Sequence, residues 1–378
     1  MRVAVIGPSK RFLSGVSYYT IRLSNALSEK ADVSAILFRN MLPKRLFPGW
    51  KRVGEELTSL EFDSRVEVYE ILDWYNPLSW FKAYRIARKS DAVIFQWWTS
   101  SVAHMYLSIE LLNKISGKVP VIIEFHEVVD PLENSILPIK IYSRIVGRLI
   151  RKLASHYVVH SEADRKLVSK IYRIPEQKIT VIPHGIYDHY ERVENAREVL
   201  GIKEKFVILF FGLLRPYKGV KHLIKAFEML PDEVRNNSRL LIVGEIWEDK
   251  ESVKAAENSP FRDKITVVNK YVPDSEVSLY FSASDVLVLP YTRASQSGVA
   301  HIGMAFGIPI VATEVGGLKE ALSNYQGSIF VEPNAESIAK ALEKLYGEPE
   351  KRYGVPEHLK WENLAKEWMK IVESLSRK

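Results

Sequence analysis

Residues 289–320 read LPYTRASQSGVAHIGMAFGIPIVATEVGGLKE, and this stretch decides the fold class. Residues 285–289 form an apolar run that stops at Pro290, the pattern of a buried parallel strand. A loop of small polar residues follows at 294–297. Gly298 then opens an apolar, Ala- and Gly-rich segment, 299–306, which reads as a buried helix. Gly307 caps it, Pro309 stops it, and 310–313 is the next short strand. This is a βαβ unit whose loop lies at the carboxyl end of a strand, where open α/β sheets bind ligands. Ser297, Gly298 and Val299 offer backbone N–H groups at a helix N-terminus, and Gly298 lets a ligand come close. Such a site favours an anion, most often a phosphate. The same features also suit an ordinary crossover, because every helix has an N-terminus.

Working outward, 378 residues are too many for one compact domain, so two are expected. With 47% apolar and 26% charged residues, the chain matches a soluble globular protein with full cores. It has no cysteine, which excludes disulfides and cysteine metal sites and gives no sign of secretion. Residues 1–7 read as a strand rather than a signal peptide, so a cytoplasmic protein is expected. The apolar window 92–112 is interrupted by Gln96, three hydroxyl residues at 99–101, His104 and Glu110. It reads as strand, loop and helix, not as a membrane span. Residues 1–190 hold 27 Lys/Arg against 19 Asp/Glu, a net of +8, while the remainder nets −1. The first half is therefore expected to meet something anionic. No nucleic-acid motif is present, so an anionic membrane surface or a phosphate-bearing acceptor fits better than DNA or RNA.

In the first half, strands are expected at 2–6, 33–38, 65–69, 92–95, 119–125, 157–160 and 179–182. Ser14-Gly15-Val16 opens a helix running to about residue 29. The glycine loop before it occupies a ligand position of doubly wound sheets, but it is not G-x-G-x-x-G, and Gly15 also suits a plain tight turn. Residues 40–52 and 80–89 mix basic and bulky apolar side chains. They suit surface helices with aromatics turned inward, or a membrane interface. Residues 140–153 form a basic amphipathic helix, and Ser161 caps the next one with Asp164 three positions on. His126 stands just past a strand's carboxyl end, where it is either a cleft residue or a structural histidine.

In the second half, a buried strand at 206–211 runs into GLLRPYKG at 212–219 and a helix at 220–229. Arg215 and Lys218 at a strand's carboxyl end can neutralise a diphosphate, although two exposed loop charges would look the same. Strands follow at 239–243, 265–268 and 328–331. Asp274 is expected to cap a helix, and further helices fall at 335–346 and 361–374.

The Ser-Gln-Ser-Gly core at 295–298, Ala-x-Gly-x-Pro at 305–309 and Gly-x-x-x-x-x-Lys-Gly at 212–219 resemble a known signature. It is the donor-nucleotide signature of retaining glycosyltransferases of the GT-B type, large family 4. The resemblance covers nearly the whole chain. It implies an α/β, GT-B type fold with two doubly wound Rossmann-like domains facing a central cleft. The expected domains are 1–185 on the acceptor side, 195–358 for the nucleotide-sugar, and a C-terminal helix at 359–378 packing back on the first. The implied activity is metal-independent transfer of a hexose from a UDP- or GDP-sugar to a glycan, lipid-linked or other hydroxyl acceptor, with no other cofactor. Gly15, Arg215, Lys218, Val272, Gln296, Ser297, Gly298 and Val299 would bind the donor. His126, Arg215 and Lys218 would be catalytic, with Glu127 in the acid position after the histidine. One departure stands out: most members carry two glutamates where this chain has Ala294 and Ile302. That keeps two alternatives open: a non-catalytic nucleotide-sugar-binding subunit, and a nucleotide-sugar epimerase or hydrolase of the same fold. A peripheral position on the inner face of the membrane is the expected location.

Overall fold

The computed structural model describes residues 1–12, 14–41, 58–116, 119–130, 137–293, 297–348 and 351–377. The basic stretch 40–52 lies almost wholly outside them. The chain divides into two units, one of Met1–Gly185 with His358–Lys378, the other of Ile186–Glu357.

The first unit carries seven parallel strands. They are β1 (Arg2–Pro8), β2 (Asp32–Asn40), β3 (Val66–Asp73), β4 (Ala92–Trp97), β5 (Val121–Phe125), β6 (His156–Val159) and β7 (Ile179–Val181). Their order is β3-β2-β1-β4-β5-β6-β7, so the winding reverses between β1 and β4. The central β4 and β5 are buried along their whole length. A strand covered on both faces has no polar side to alternate with, which is why these segments read as continuous apolar runs. The helices are α1 (Gly15–Ser28), α2 (Pro77–Ala87), α3 (Ala103–Ser116), α4 (Leu137–Leu153) and α5 (Glu162–Tyr172). Ser14 caps α1 by accepting from the Ser17 N–H at 3.4 Å. Ser161 caps α5 through the Asp164 N–H at 3.0 Å.

The second unit begins with the short α6 (Ala196–Val199). Its six parallel strands are β8 (Phe206–Phe211), β9 (Ser238–Val243), β10 (Ile265–Val268), β11 (Val286–Leu289), β12 (Ile310–Thr313) and β13 (Ser328–Val331). The order β10-β9-β8-β11-β12-β13 reverses between β8 and β11. Its remaining helices are α7 (Val220–Glu228), α8 (Asp232–Asn236), α9 (Lys250–Glu257), α10 (Asp274–Ala283), α11 (Gly298–Ala305), α12 (Gly317–Leu322) and α13 (Ala335–Tyr346). The last helix, α14 (Trp361–Ser376), belongs to the first unit and packs on α1. It buries Trp361, Leu364, Trp368 and Ile371, one stripe of the helix. Sandwiched between the sheet and α14, α1 is buried on several sides, including Tyr19, Ile21, Leu23 and Leu27.

Two expectations need correction. Asp274 does not cap α10: Pro273 holds the cap position, and Asp274 is the first helical residue. Its buried carboxylate instead accepts the Tyr190 hydroxyl at 3.1 Å. A buried carboxylate needs a donor, and here a tyrosine from the distant segment before α6 supplies it. The second concerns 80–89. Tyr84 is buried in the core and the Trp80 indole donates to the Asp73 carbonyl, so these two rings hold α2 on the sheet, while Phe81 is exposed. This piece follows the inward-turned alternative.

Candidate functional site

Neighbouring strands β8 and β11 end side by side where the second sheet reverses its winding, the crevice position of open α/β sheets. Two loops leave there. After β8, residues 212–219 end in one turn, Pro216–Lys218, followed by Gly219 at φ +66°. After β11 comes Pro290 and the loop that leads into α11. The loops are tied together, because the Thr292 N–H donates to the Tyr217 carbonyl at 2.8 Å. A Cβ on Gly219 would stand 1.9 Å from the Pro290 carbonyl oxygen. Both the backbone angle and the space at this point therefore demand glycine.

This packing brings the Lys218 ammonium to 3.9 Å from the centre of the Tyr291 ring. The Tyr291 hydroxyl lies 3.2 Å from the Ser297 Oγ, and both residues are buried. The Arg215 guanidinium stacks 4.8 Å from the Trp247 ring centre, and its Nε is buried without a hydrogen-bond partner. Neither Arg215 nor Lys218 forms an ion pair with a described residue. Gly298 and Val299 begin α11, so their N–H groups have no helical acceptor. A Cβ on Gly298 would approach the Tyr187 ring to 3.2 Å, which marks how closely the chain passes there. Val299 lies beside Gly212 at the end of β8. Lys218, Ser297, Gly298 and Val299 thus lie on the two adjoining loops. Val272 is buried before Pro273 in the loop after β10. Gln296, with Ala294 and Ser295, lies outside the described residues. Ile302 is buried on α11, where a glutamate would be costly.

The first unit holds a second cluster. His126 follows β5, and its Nε2 meets the Gln96 side-chain oxygen. The Gln96 amide donates to Glu124 at 2.6 Å, so one buried glutamine bridges histidine and carboxyl group. With Nε2–H donating to Gln96, the lone pair of His126 is on Nδ1. The His126, His160, His184 and Trp361 rings all surround Tyr19, at centroid distances of 4.7–5.3 Å. Burial pushes the Glu124 carboxyl up to about 8. Burial, helped by the neighbouring imidazoles, holds His126 well below its usual value and lowers His184 to about 3. Burial therefore favours the neutral forms of Glu124, His126 and His184. Gly15 is exposed at the first position of α1, and Glu127 is exposed.

Glu124, His126 and His160 each offer a ligand atom, and these atoms lie within 4.8 Å of one another. A zinc ion would draw three such atoms to about 3.3 Å apart, so the cluster is looser than a formed metal centre. The sequence assigned no site role to Gln96, Glu124, His160, His184, Tyr291 or Trp247. Gln96 and Glu124 do carry a signal, as polar residues inside otherwise apolar strands. The two aromatics carry no such signal.

Residues 192–360 match the family model of Glycosyl transferases group 1, and residues 13–189 match that of Glycosyltransferase Family 4. The chain belongs to the group 1, family 4 glycosyltransferases. This family 4 chain is 28% identical over 249 residues to an uncharacterized glycosyltransferase of Methanocaldococcus jannaschii, covering 62% of each. It is 29% identical over 253 residues to the D-inositol 3-phosphate glycosyltransferase of Corynebacterium urealyticum, covering 61% of the chain and 59% of the relative. The chain thus matches about six-tenths of the length of these curated relatives. Its fold is the GT-B fold: sucrose-phosphate synthase from Thermosynechococcus elongatus superposes with a TM-score of 0.70 at 17% identity, over 99% of this chain and 98% of that one.

Proposed function

We propose that this chain moves a hexose from a UDP- or GDP-sugar to a hydroxyl acceptor, with retention of anomeric configuration and no required metal. The supporting observation is the convergence of Lys218, Tyr291 and Ser297 at the point where the second sheet reverses. A leaving diphosphate gathers negative charge as the bond to the sugar breaks. Lys218, Arg215 and the first amides of α11 are preorganised to receive it, which is the largest electrostatic term in such a reaction. Tyr291 holds Lys218 in place without neutralising it, as a carboxylate would. Arg215 keeps one buried N–H unused on its Trp247 support, ready for a phosphate oxygen. The sugar develops oxocarbenium character, and among the described residues no pair of catalytic carboxylates stands beside the donor residues. That favours a front-face route in which the departing phosphate assists the acceptor. His126 takes the role the family resemblance gives it, against the transferred sugar. Metal independence rests on the same resemblance. The acceptor is a glycan or a lipid-linked or phosphate-bearing hydroxyl compound, in keeping with the relative that acts on D-inositol 3-phosphate. The excess positive charge of the first half is assigned to an anionic membrane surface at the inner face of the membrane, reached from the cytoplasm.

Buried Ile302 favours a second reading, a nucleotide-sugar-binding subunit that does not turn over. Thermal shift against UDP-, GDP- and ADP-sugars, with and without EDTA, tests the donor site. Stabilisation by at least one donor, unaffected by EDTA, is the expected result. Its survival in Arg215→Ala plus Lys218→Ala would refute the site. Release of nucleoside diphosphate only when an acceptor is added separates the enzyme from the binding subunit.

A further inference from the structure

Helix α4 exposes the side that an ordinary surface helix would bury. Leu137, Ile139, Ile141, Ile145 and Leu149 are 39–68% exposed. What it turns inward is small, Ser143 and Gly147, with Ile150. Ile141, Ile145 and Leu149 are four apart and make one ridge along the helix. Arg144, Arg148 and Lys152 are also four apart and make the row beside it. The cations face a cavity of about 710 Å³ that Arg173 and Lys178 close from the far side, and Ile171 adds an exposed apolar side chain at its edge. Among the described residues no carboxylate lines this cavity. It opens at the amino ends of β6 and β7, the sheet edge opposite the one that carries His126 and His160.

Arg173 adds an independent observation. It ends α5 at φ +55°, the only non-glycine at positive φ among the described residues. Glycine adopts this conformation at less cost and is the usual residue there. An arginine is kept at that cost, and its side chain lines the cavity.

We infer that the exposed ridge of α4 and the adjoining basic cavity dock the protein on a bilayer of anionic phospholipid, the ridge entering the interface and the cavity taking phosphate headgroups. An apolar ridge alone would fit many partners. A ridge flanked by the exposed cations Arg148, Lys152 and Arg173 fits a surface that is both apolar and anionic. The inference deepens the membrane assignment above and rests on it.

Sedimentation of the full-length protein with vesicles tests it, comparing phosphatidylglycerol/phosphatidylcholine mixtures with phosphatidylcholine alone. Binding is expected to the anionic vesicles only, and to weaken as salt rises. Arg148→Glu with Arg173→Gly, and separately Ile145→Ser with Leu149→Ser, should each weaken it at least about tenfold. All four positions are exposed, and Arg173→Gly relieves the backbone. The donor thermal shift should be unchanged in both variants. Wild-type protein that binds neither vesicle would overturn the membrane assignment and this inference together. Anionic binding that persists in both variants would overturn the α4 site alone. Release by millimolar inorganic phosphate at matched ionic strength would show a free-phosphate pocket instead.

Discussion

Lys218 Nζ lies 3.9 Å from the centre of the Tyr291 ring, although the two residues are 73 positions apart. The contact exists because β8 and β11 are hydrogen-bonded neighbours and their loops leave the same end of the sheet. An ammonium over an aromatic face is held by about 0.5–1 kcal/mol without a carboxylate partner. A cation kept this way is available to an incoming anion, which a salt-bridged one is not.

Arg215→Ala and Lys218→Ala should each weaken nucleotide-sugar binding by roughly tenfold or more, because each removes a charge-assisted contact of about 1.5–3 kcal/mol. Neither cation is paired with a described carboxylate, so the apo melting temperature should hardly move. Calorimetric titration checks both parts. A large fall in apo stability with donor affinity intact would make these residues structural.

Tyr291→Phe separates the ring from its hydroxyl. The ring under Lys218 remains, while the buried Ser297 loses a partner 3.2 Å away. A loss of about 0.5–1.5 kcal/mol in donor binding is expected. Tyr291→Leu should lose more, since Lys218 then has no support. Equal affinities for the two variants would mean that the ring does not position the lysine.

Gly219→Ala should damage the donor loop directly. The new methyl would sit 1.9 Å from the Pro290 carbonyl oxygen, on a backbone at φ +66°. A cost of about 2–4 kcal/mol and loss of the donor-induced shift are expected, because the loop carrying Lys218 must move. Denaturant unfolding and thermal shift measure these separately.

Glu124 sets a pH dependence. Its folded carboxyl holds a proton up to about pH 8, against an ordinary value of 4.5. Its contribution to stability is therefore full below 4.5 and is lost as pH rises through 8. Glu124→Gln removes that loss, so the variant should gain on wild type between pH 5 and pH 9 by on the order of 3 kcal/mol. His184 acts in the opposite sense. Lowered to about 3, it contributes fully above 6.5 and its contribution is lost as pH falls through 3. Urea unfolding at several pH values checks both slopes. Parallel curves for wild type and Glu124→Gln from pH 5 to 9 would disprove the assignment.

Much of this protein is local and could be read from the chain. Runs such as FVILFF before a glycine-bounded loop specify a buried parallel strand, because apolar length and its punctuation are properties of neighbouring residues. The 212–219 and 297–299 segments announced themselves in the same way, since a helix start and a strand end are visible over a few positions. Three things were not local. Which loops meet depends on strand order, so the Lys218–Tyr291–Ser297 contact appears only once β8 lies beside β11. The bridge of Gln96 between Glu124 and His126 requires β4 to pair with β5, with its residues in register. The direction of an amphipathic helix is not in its periodicity at all: 137–153 has an apolar and a basic side, and only packing shows that Ser143, Gly147 and Ile150 face the core while Ile139, Ile141 and Ile145 face out. Periodicity reports that a helix has two faces, and long-range packing decides which of them the protein keeps for itself.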